Sequence, residues 1–275
     1  MRPIFSLRLD GDGQFPAFCN LPDFRACALL SLEPWYRIGN PPVIYTDEAG
    51  KTAIRMLQLP FNLDFRIVEW KDDPKAWSMT KVRAFQAAIS EFETFIHQDW
   101  DAFFLNGIPE FPSSGILTQS TDTAGYPEYA EWMKPIMTDD IEAVLPKTQI
   151  CNFGVFGSLD SGSSHRLKLA LDGWFPEKFQ ADDNWGQNTA AGLEQGVICC
   201  LLKREKLHVH KLLNDHRKIS DAEKVGFVHL WGHWKLEHPE VMARVHAHAE
   251  ARERRLAEKW DRGNIAIWLL EQPAK

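Results

Sequence analysis

Over the first hundred residues, short runs of strand character alternate with stretches of helical periodicity, and this order restricts the fold more than any other feature of the chain. Residues 4–9 read as a strand, followed by the loop Asp10-Gly11-Asp12-Gly13. Residues 23–38 read as a helix, with Phe24, Cys27, Leu30, Leu32 and Trp35 loosely on one face. Pro41-Pro42 then opens the β-branched run 43–46, which ends at Asp47, and 67–70 is a third strand. Val82, Phe85, Ala88, Ile89 and Phe92 recur at helical spacing over 80–92, and 93–96 is the next strand. Strands joined through helices lie side by side in the same direction, because the crossover returns the chain to the edge it left. The expected fold is therefore α/β, a mostly parallel sheet flanked by helices, with ligands bound beyond the carboxyl ends of its strands.

The remainder is less regular. Residues 109–128 are rich in Pro, Ser, Thr and Gly and read as a long loop; 158–166 are Ser/Gly-rich and 182–192 Asn/Gly-rich. A strand over 149–156 is interrupted by Gly154, 193–203 is a helix or buried segment, and 207–210 and 226–229 are two late strands. The helix over 239–260 mixes Arg244, Arg252, Arg254 and Arg255 with Glu250, Glu253 and Glu258, so a solvated helix is expected. Trp260 and Trp268 follow as packing residues or as a peripheral membrane contact. No repeat is visible, and the chain is expected to form one domain, 1–275, with 239–275 as a C-terminal helical extension.

With 44% hydrophobic and 25% charged residues, the 275-residue chain can bury a substantial core. A net charge of -7 argues against a nucleic-acid binder, which needs a clustered basic surface. The first residues lack an apolar signal-peptide core, and no apolar run approaches the ~18 residues of a membrane span. Five cysteines without a CxxC pair are expected to be reduced thiols, which points to the cytoplasm.

Two segments can carry chemistry. Asp99-Trp100-Asp101 follows a strand and precedes the apolar run 102–105. Two carboxylates two apart at a strand end reach one hard cation as the chain turns, and Mg2+ or Mn2+ so held keeps open positions for phosphate oxygens. The second segment is His229-Leu230-Trp231-Gly232-His233-Trp234-Lys235. Its imidazole can be a further metal ligand, Gly232 lets the backbone approach a phosphate, and Lys235 supplies a point charge.

Read in order, Asp99-Trp100-Asp101, Asn152-Phe153-Gly154-Val155, Glu194-Gln195 and His229-x-x-Gly232-x-x-Lys235 resemble the GT-A glycosyltransferases. The resemblance is greatest to the family-8, glycogenin-like and lipopolysaccharide-galactosyltransferase-like branch, and it spans roughly residues 40–240. It implies a GT-A-like, Rossmann-type sheet and a metal-dependent transfer of a hexose from a nucleotide-diphosphate sugar, UDP-linked, with retention. The implied metal is Mn2+ (or Mg2+), held by Asp99, Asp101 and His229. Gly232 and Lys235 would hold the diphosphate, and Lys81 or Arg83 would contact the donor. Asp47 marks the base pocket, and Asn152, Glu194 and Gln195 would face the donor sugar and the acceptor. That acceptor is a hydroxyl of a sugar, a lipid-linked molecule or a protein. Trp100 stands where the family usually has a small residue, and Leu-Glu-His-Pro follows Lys235 in place of Pro-Trp.

Two other readings compete. A non-catalytic nucleotide-sugar-binding relative would keep the fold and bind without turnover. A His/Asp metal hydrolase would use pairs such as His208 with His210 or His246 with His248, and would retain zinc; the second pair lies two apart on a helix and diverges.

Overall fold

The computed structural model describes residues 1–9, 21–68, 77–122, 124, 126–174, 187–214, 224–230 and 239–259. In chain order, β1 (Arg2–Leu7) leads to α1 (Leu21–Arg37), β2 (Val43–Thr46), α2 (Glu48–Met56) and β3 (Asp64–Ile67). Then come α3 (Trp77–Phe92), β4 (Phe95–Gln98), β5 (Ala102–Phe104), β6 (Ile116–Thr121), α4 (Tyr126–Met133) and α5 (Asp139–Val144). The strand β7 (Cys151–Ser158) is followed by α6 (Ser161–Trp174), α7 (Gln187–Ala191), a π-helical turn (Gly192–Val197) and α8 (Ile198–Arg204). The short β8 (Val209–Lys211) and β9 (Phe227–His229) precede α9 (Pro239–Lys259).

Seven strands form one sheet in the order β3-β2-β1-β4-β7-β6-β8. The pairs β3–β2, β2–β1, β1–β4 and β6–β8 are parallel, and β7 alone runs against its neighbours β4 and β6. The expected α/β architecture, a mostly parallel sheet flanked by helices, is what the chain forms. β2, β4 and β7 are buried along their whole length, as strands covered on both faces must be. One apolar layer centres on Phe85 of α3, stacked on Phe95 and Phe156 at 5.5 and 4.7 Å. The opposite layer holds Phe5, Ile44 and Phe104 beneath α1, which contributes Trp35 to it. β5 and β9 make a separate antiparallel pair with Ala102 opposite His229, and α9 packs on α1 beside it.

Several expectations need correction. The supposed loop 109–128 contains β6, whose Thr118, Gln119 and Ser120 are buried; a strand that buries polar side chains lacks the apolar signature of a strand. Most of the Ser/Gly-rich 158–166 belongs to α6, which Asp160 starts by accepting from the Ser163 amide at 2.9 Å. The third strand lies three residues earlier than expected, at Asp64–Ile67, and 69–70 fall outside the described residues. α2 was not picked out in the sequence; it is a short helix that Asp47 caps and that buries Gly50, Ala53 and Ile54 on one face. The C-terminal helix is not solvated all round: Met242, Val245, Ala249 and even Arg252 are buried. Trp260 and Trp268 lie outside the described residues. Among the described residues Cys27, Cys151, Cys199 and Cys200 are free thiols, and no helix is long and apolar enough to cross a membrane.

Candidate metal centre at the strand ends

Asp99 follows directly on β4, and Asp101 directly precedes β5. Between them the chain turns tightly: the Asp99 amide donates to the Gly154 carbonyl at 2.9 Å, and the Ala102 amide donates back to the Asp99 carbonyl at 3.1 Å. Trp100, at the apex, goes the other way. Its indole packs on Phe5 and Phe24 and its Nε1 donates to the Ser6 carbonyl at 2.9 Å. The large residue between the two acids is thus an anchor in the core, which leaves the carboxylates on the opposite side of the turn.

His229 ends β9, and the β5–β9 pairing carries its ring to the acids. The Leu230 amide donates to the Asp101 carbonyl at 2.8 Å and extends that pairing by one bond. Nε2 of His229 lies 3.5 Å from Asp101 Oδ1 and 3.8 Å from Asp99 Oδ2. One ligand atom from each of the three residues falls within 4.8 Å of the others, the one such group among the described residues. Two carboxylates and one imidazole suit a hard or borderline divalent ion.

Gly154 makes room for this ring. A Cβ there would fall 2.4 Å from His229 Nδ1 and 2.1 Å from Gln119 Oε1, distances no real side chain tolerates. Gly154→Ala should therefore displace His229 or Gln119 and cost about 1–3 kcal/mol of stability as an overpacked site. A denaturant midpoint equal to the parent's would show that the pocket yields freely.

Behind Asp99 lies a buried charge network. Lys81, from α3, places Nζ 2.7 Å from Asp99 Oδ1 and 2.7 Å from Glu194 Oε1. Burial disfavours the charge on Lys81, but Asp99 and Glu194 outweigh it and hold the ammonium above its ordinary range. Glu194 is wholly buried; burial pushes its carboxyl up to about 7, with Lys81 opposing and Asp99 adding to the rise. The same causes, with Asp101 as the like charge, raise Asp99. Glu194 and Gln195 sit in the π-helical turn, a distortion that projects side chains an ordinary helix would not. Tyr129 donates to Gln195 Oε1 at 2.6 Å, and Asn152 Oδ1 accepts from the Gly154 amide at 3.0 Å.

Of the expected residues, Asp99, Asp101, His229, Lys81 and Glu194 come together, with Asn152 one strand away on β7 beside Gly154. Arg83 points elsewhere and donates to Gln86 at 3.1 Å. Asp47 caps α2: its carboxylate accepts from Gly50 at 2.5 Å and from the Leu9 amide at 2.8 Å. Gly232 and Lys235 lie outside the described residues. His208 and His210 do touch, with ring centroids 4.4 Å apart, but they belong to no metal-competent group among the described residues.

Two buried residues at the centre had not been singled out. His97 has Nε2 2.9 Å from Ser6 Oγ and Nδ1 3.8 Å from Asp99 Oδ1; burial, reinforced by Lys81, holds it neutral far below its usual titration range. Gln119 is wholly buried on β6. His97 and Gln98 are two polar residues in a four-residue strand, so the sequence reading ended that strand at 96 and left His97 outside it.

The fold and this group define an α/β protein with a candidate metal centre at the carboxyl end of its parallel strands. The chain belongs to the family of unknown function DUF6734, whose model matches residues 29–256. No curated protein matches it. Among solved structures, mouse xyloside xylosyltransferase 1 in its apo form aligns at TM-score 0.41 and 12% identity, over 83% of this chain and 96% of that one. The galactosyltransferase LgtC, in complex with donor and acceptor sugar analogues, aligns at TM-score 0.45 and 13% identity, over 91% and 96%. The 4-diphosphocytidyl-2C-methyl-D-erythritol synthase of Anaerococcus prevotii DSM 20548 aligns at TM-score 0.42 and 11% identity, over 90% and 96%. Any role for the site therefore has to come from its own chemistry.

Proposed function

We propose that this chain is a metal-dependent glycosyltransferase of the GT-A type. It moves a hexose from a nucleotide-diphosphate sugar, UDP-linked, to a hydroxyl of a sugar, lipid-linked or protein acceptor, with retention. The observation that carries this reading is the convergence of Asp99 and Asp101, from one turn, with His229, from a stretch more than a hundred residues later, into one group of ligand distance. In this reading they hold Mn2+ (or Mg2+), and the ion supplies positive charge to the departing diphosphate. Gly232 and Lys235 complete the diphosphate site, and residues 1–275 act as one catalytic domain.

The chain's own residues do the rest. Lys81 offsets the charge of Asp99 and Glu194 in the absence of ligand and offers a cation to the donor when it enters. Asn152, Glu194 and Gln195 line the side where the sugar and the acceptor meet. Asp47, committed to two backbone amides, shapes the end of β2 beside the base. Retention rests on the family resemblance.

Calorimetry of UDP with and without Mn2+, followed by assays for sugar release from UDP-sugars without acceptor, tests the reading. UDP is expected to bind only with Mn2+, and sugar to be released slowly. UDP affinity that ignores Mn2+ would sink the metal assignment, and tight binding without release would favour a non-catalytic relative.

A further inference from the structure

Gln119 is the feature at this site that the proposed function leaves unexplained. It lies on β6 where the pairing with β7 slips between Thr118 and Ser120, and it is wholly buried. Neither its Oε1 nor its Nε2 has a hydrogen-bond partner among the described residues. An amide buried in this state costs about 1–3 kcal/mol, so its presence calls for a compensating purpose. A second orphan lies beside it. His229 Nδ1 is also buried without a partner, and both Nδ1 and Gln119 Oε1 lie over Gly154, where a Cβ would meet each of them.

We infer that Gln119 is the positioning residue for His229: the two side chains are not hydrogen-bonded in this structure, but both orphan atoms border the space over Gly154, and a rotation of either side chain would let Gln119 Oε1 accept the proton on His229 Nδ1. A histidine that donates Nδ1–H keeps its lone pair on Nε2, and Nε2 is the atom facing Asp99 and Asp101. A metal-bound imidazole ordinarily gives its other N–H to an acceptor, which fixes tautomer and ring angle. Gln119 is the unpartnered side-chain acceptor beside this ring. Gly154, β6 and β9 then form one device: the glycine opens the space, the slipped strand delivers the amide, and the late strand delivers the ring. Where the metal reading is correct, the device sets affinity for the ion; this part of the inference rests on that reading.

The test uses the full chain and Mn2+ alone, titrated by calorimetry. Gln119→Leu keeps the bulk and removes the acceptor. It is expected to weaken Mn2+ binding roughly 10- to 100-fold, while its melting temperature stays level or rises because an unsatisfied amide has gone. Gln119→Glu, which restores an acceptor, is expected to recover the affinity. In a His229→Ala background, Gln119→Leu should add no further loss. Unchanged Mn2+ affinity in Gln119→Leu, with His229→Ala impaired, overturns the inference and leaves the metal reading standing. A parent protein that takes up no Mn2+ sinks the metal reading instead. The inference is then decided by the imidazole 15N shifts of His229: Nδ1–H in the parent but not in Gln119→Leu upholds it, and no difference overturns it.

Discussion

Replacing Asp101 by Asn is expected to cost Mn2+-dependent UDP binding about three orders of magnitude, while the metal-free protein melts no lower than the parent. The first half follows from charge. A pair of unit charges 4 Å apart at an effective dielectric near 20 is worth roughly 4 kcal/mol, which is about a thousandfold in affinity. The second half follows from the site without its ion. Asp99 is raised by burial, relieved by Lys81, and raised again by the charge of Asp101. Asparagine keeps the shape of the turn and removes that repulsion, and the Leu230 bond to the residue 101 carbonyl is untouched. Calorimetry and a melting curve on the same preparation decide the matter. Full affinity in the variant would mean that the carboxylates serve the turn and not an ion; lost affinity with a lower melting temperature would mean that Asp101 holds the fold.

Arg252→Ala is expected to destabilise the protein by about 3–5 kcal/mol, a fall in melting temperature of roughly ten degrees. Arg252 is 6% exposed, and Nη1 donates to the buried Glu33 at 2.7 Å. Nη2 donates to the carbonyls of Phe104 and Leu105 at 3.3 and 3.1 Å, at the end of β5. Nη1 also reaches the Leu30 carbonyl at 3.5 Å. Pro34 explains that last contact: it has no amide hydrogen, so the carbonyl four residues before it lacks its helical donor. Truncating Arg252 leaves the buried Glu33 with the half-exposed Arg37 at 3.8 Å as its remaining cation and removes the side-chain donor of three carbonyls at once. Replacing the pair together, Arg252→Met with Glu33→Leu, should recover most of the loss, because the cost lies in the uncompensated charge. A single variant within 1 kcal/mol of the parent in urea would show that the pair is not the clamp described.

What was legible in the sequence was the part that depends on apolar periodicity. The alternation up to β4 predicts a mostly parallel sheet, and the strand ends place the acidic pair. His229 was visible as the end of a strand, but its partner strand β5 was not, because three residues between two acids and a turn make a short signal. What could not be read depends on burial of polar groups. β6 hides Thr118, Gln119 and Ser120 in a strand, and Asp160 converts a Ser/Gly-rich stretch into α6 by capping it. Arg252 and Glu33 resemble surface charges until the packing of α9 on α1 removes them from water. Lys81 and Arg83, equal as neighbours in sequence, are separated by the helix that bears them: one meets Asp99 and the other Gln86.

The β5–β9 ladder also gives the site a history within each molecule. The two acids and Lys81 emerge early in synthesis, and the histidine only after β6, β7 and β8 have been made. Contacts so distant along the chain form late, because a long loop must be closed before they repay its entropy. Until then Lys81 is the cation that keeps the acid pair tolerable. A nascent or C-terminally clipped chain can own most of the large sheet and still lack the full set of donors. In the proposed reading, a complete donor set therefore waits on β9, the last strand among the described residues.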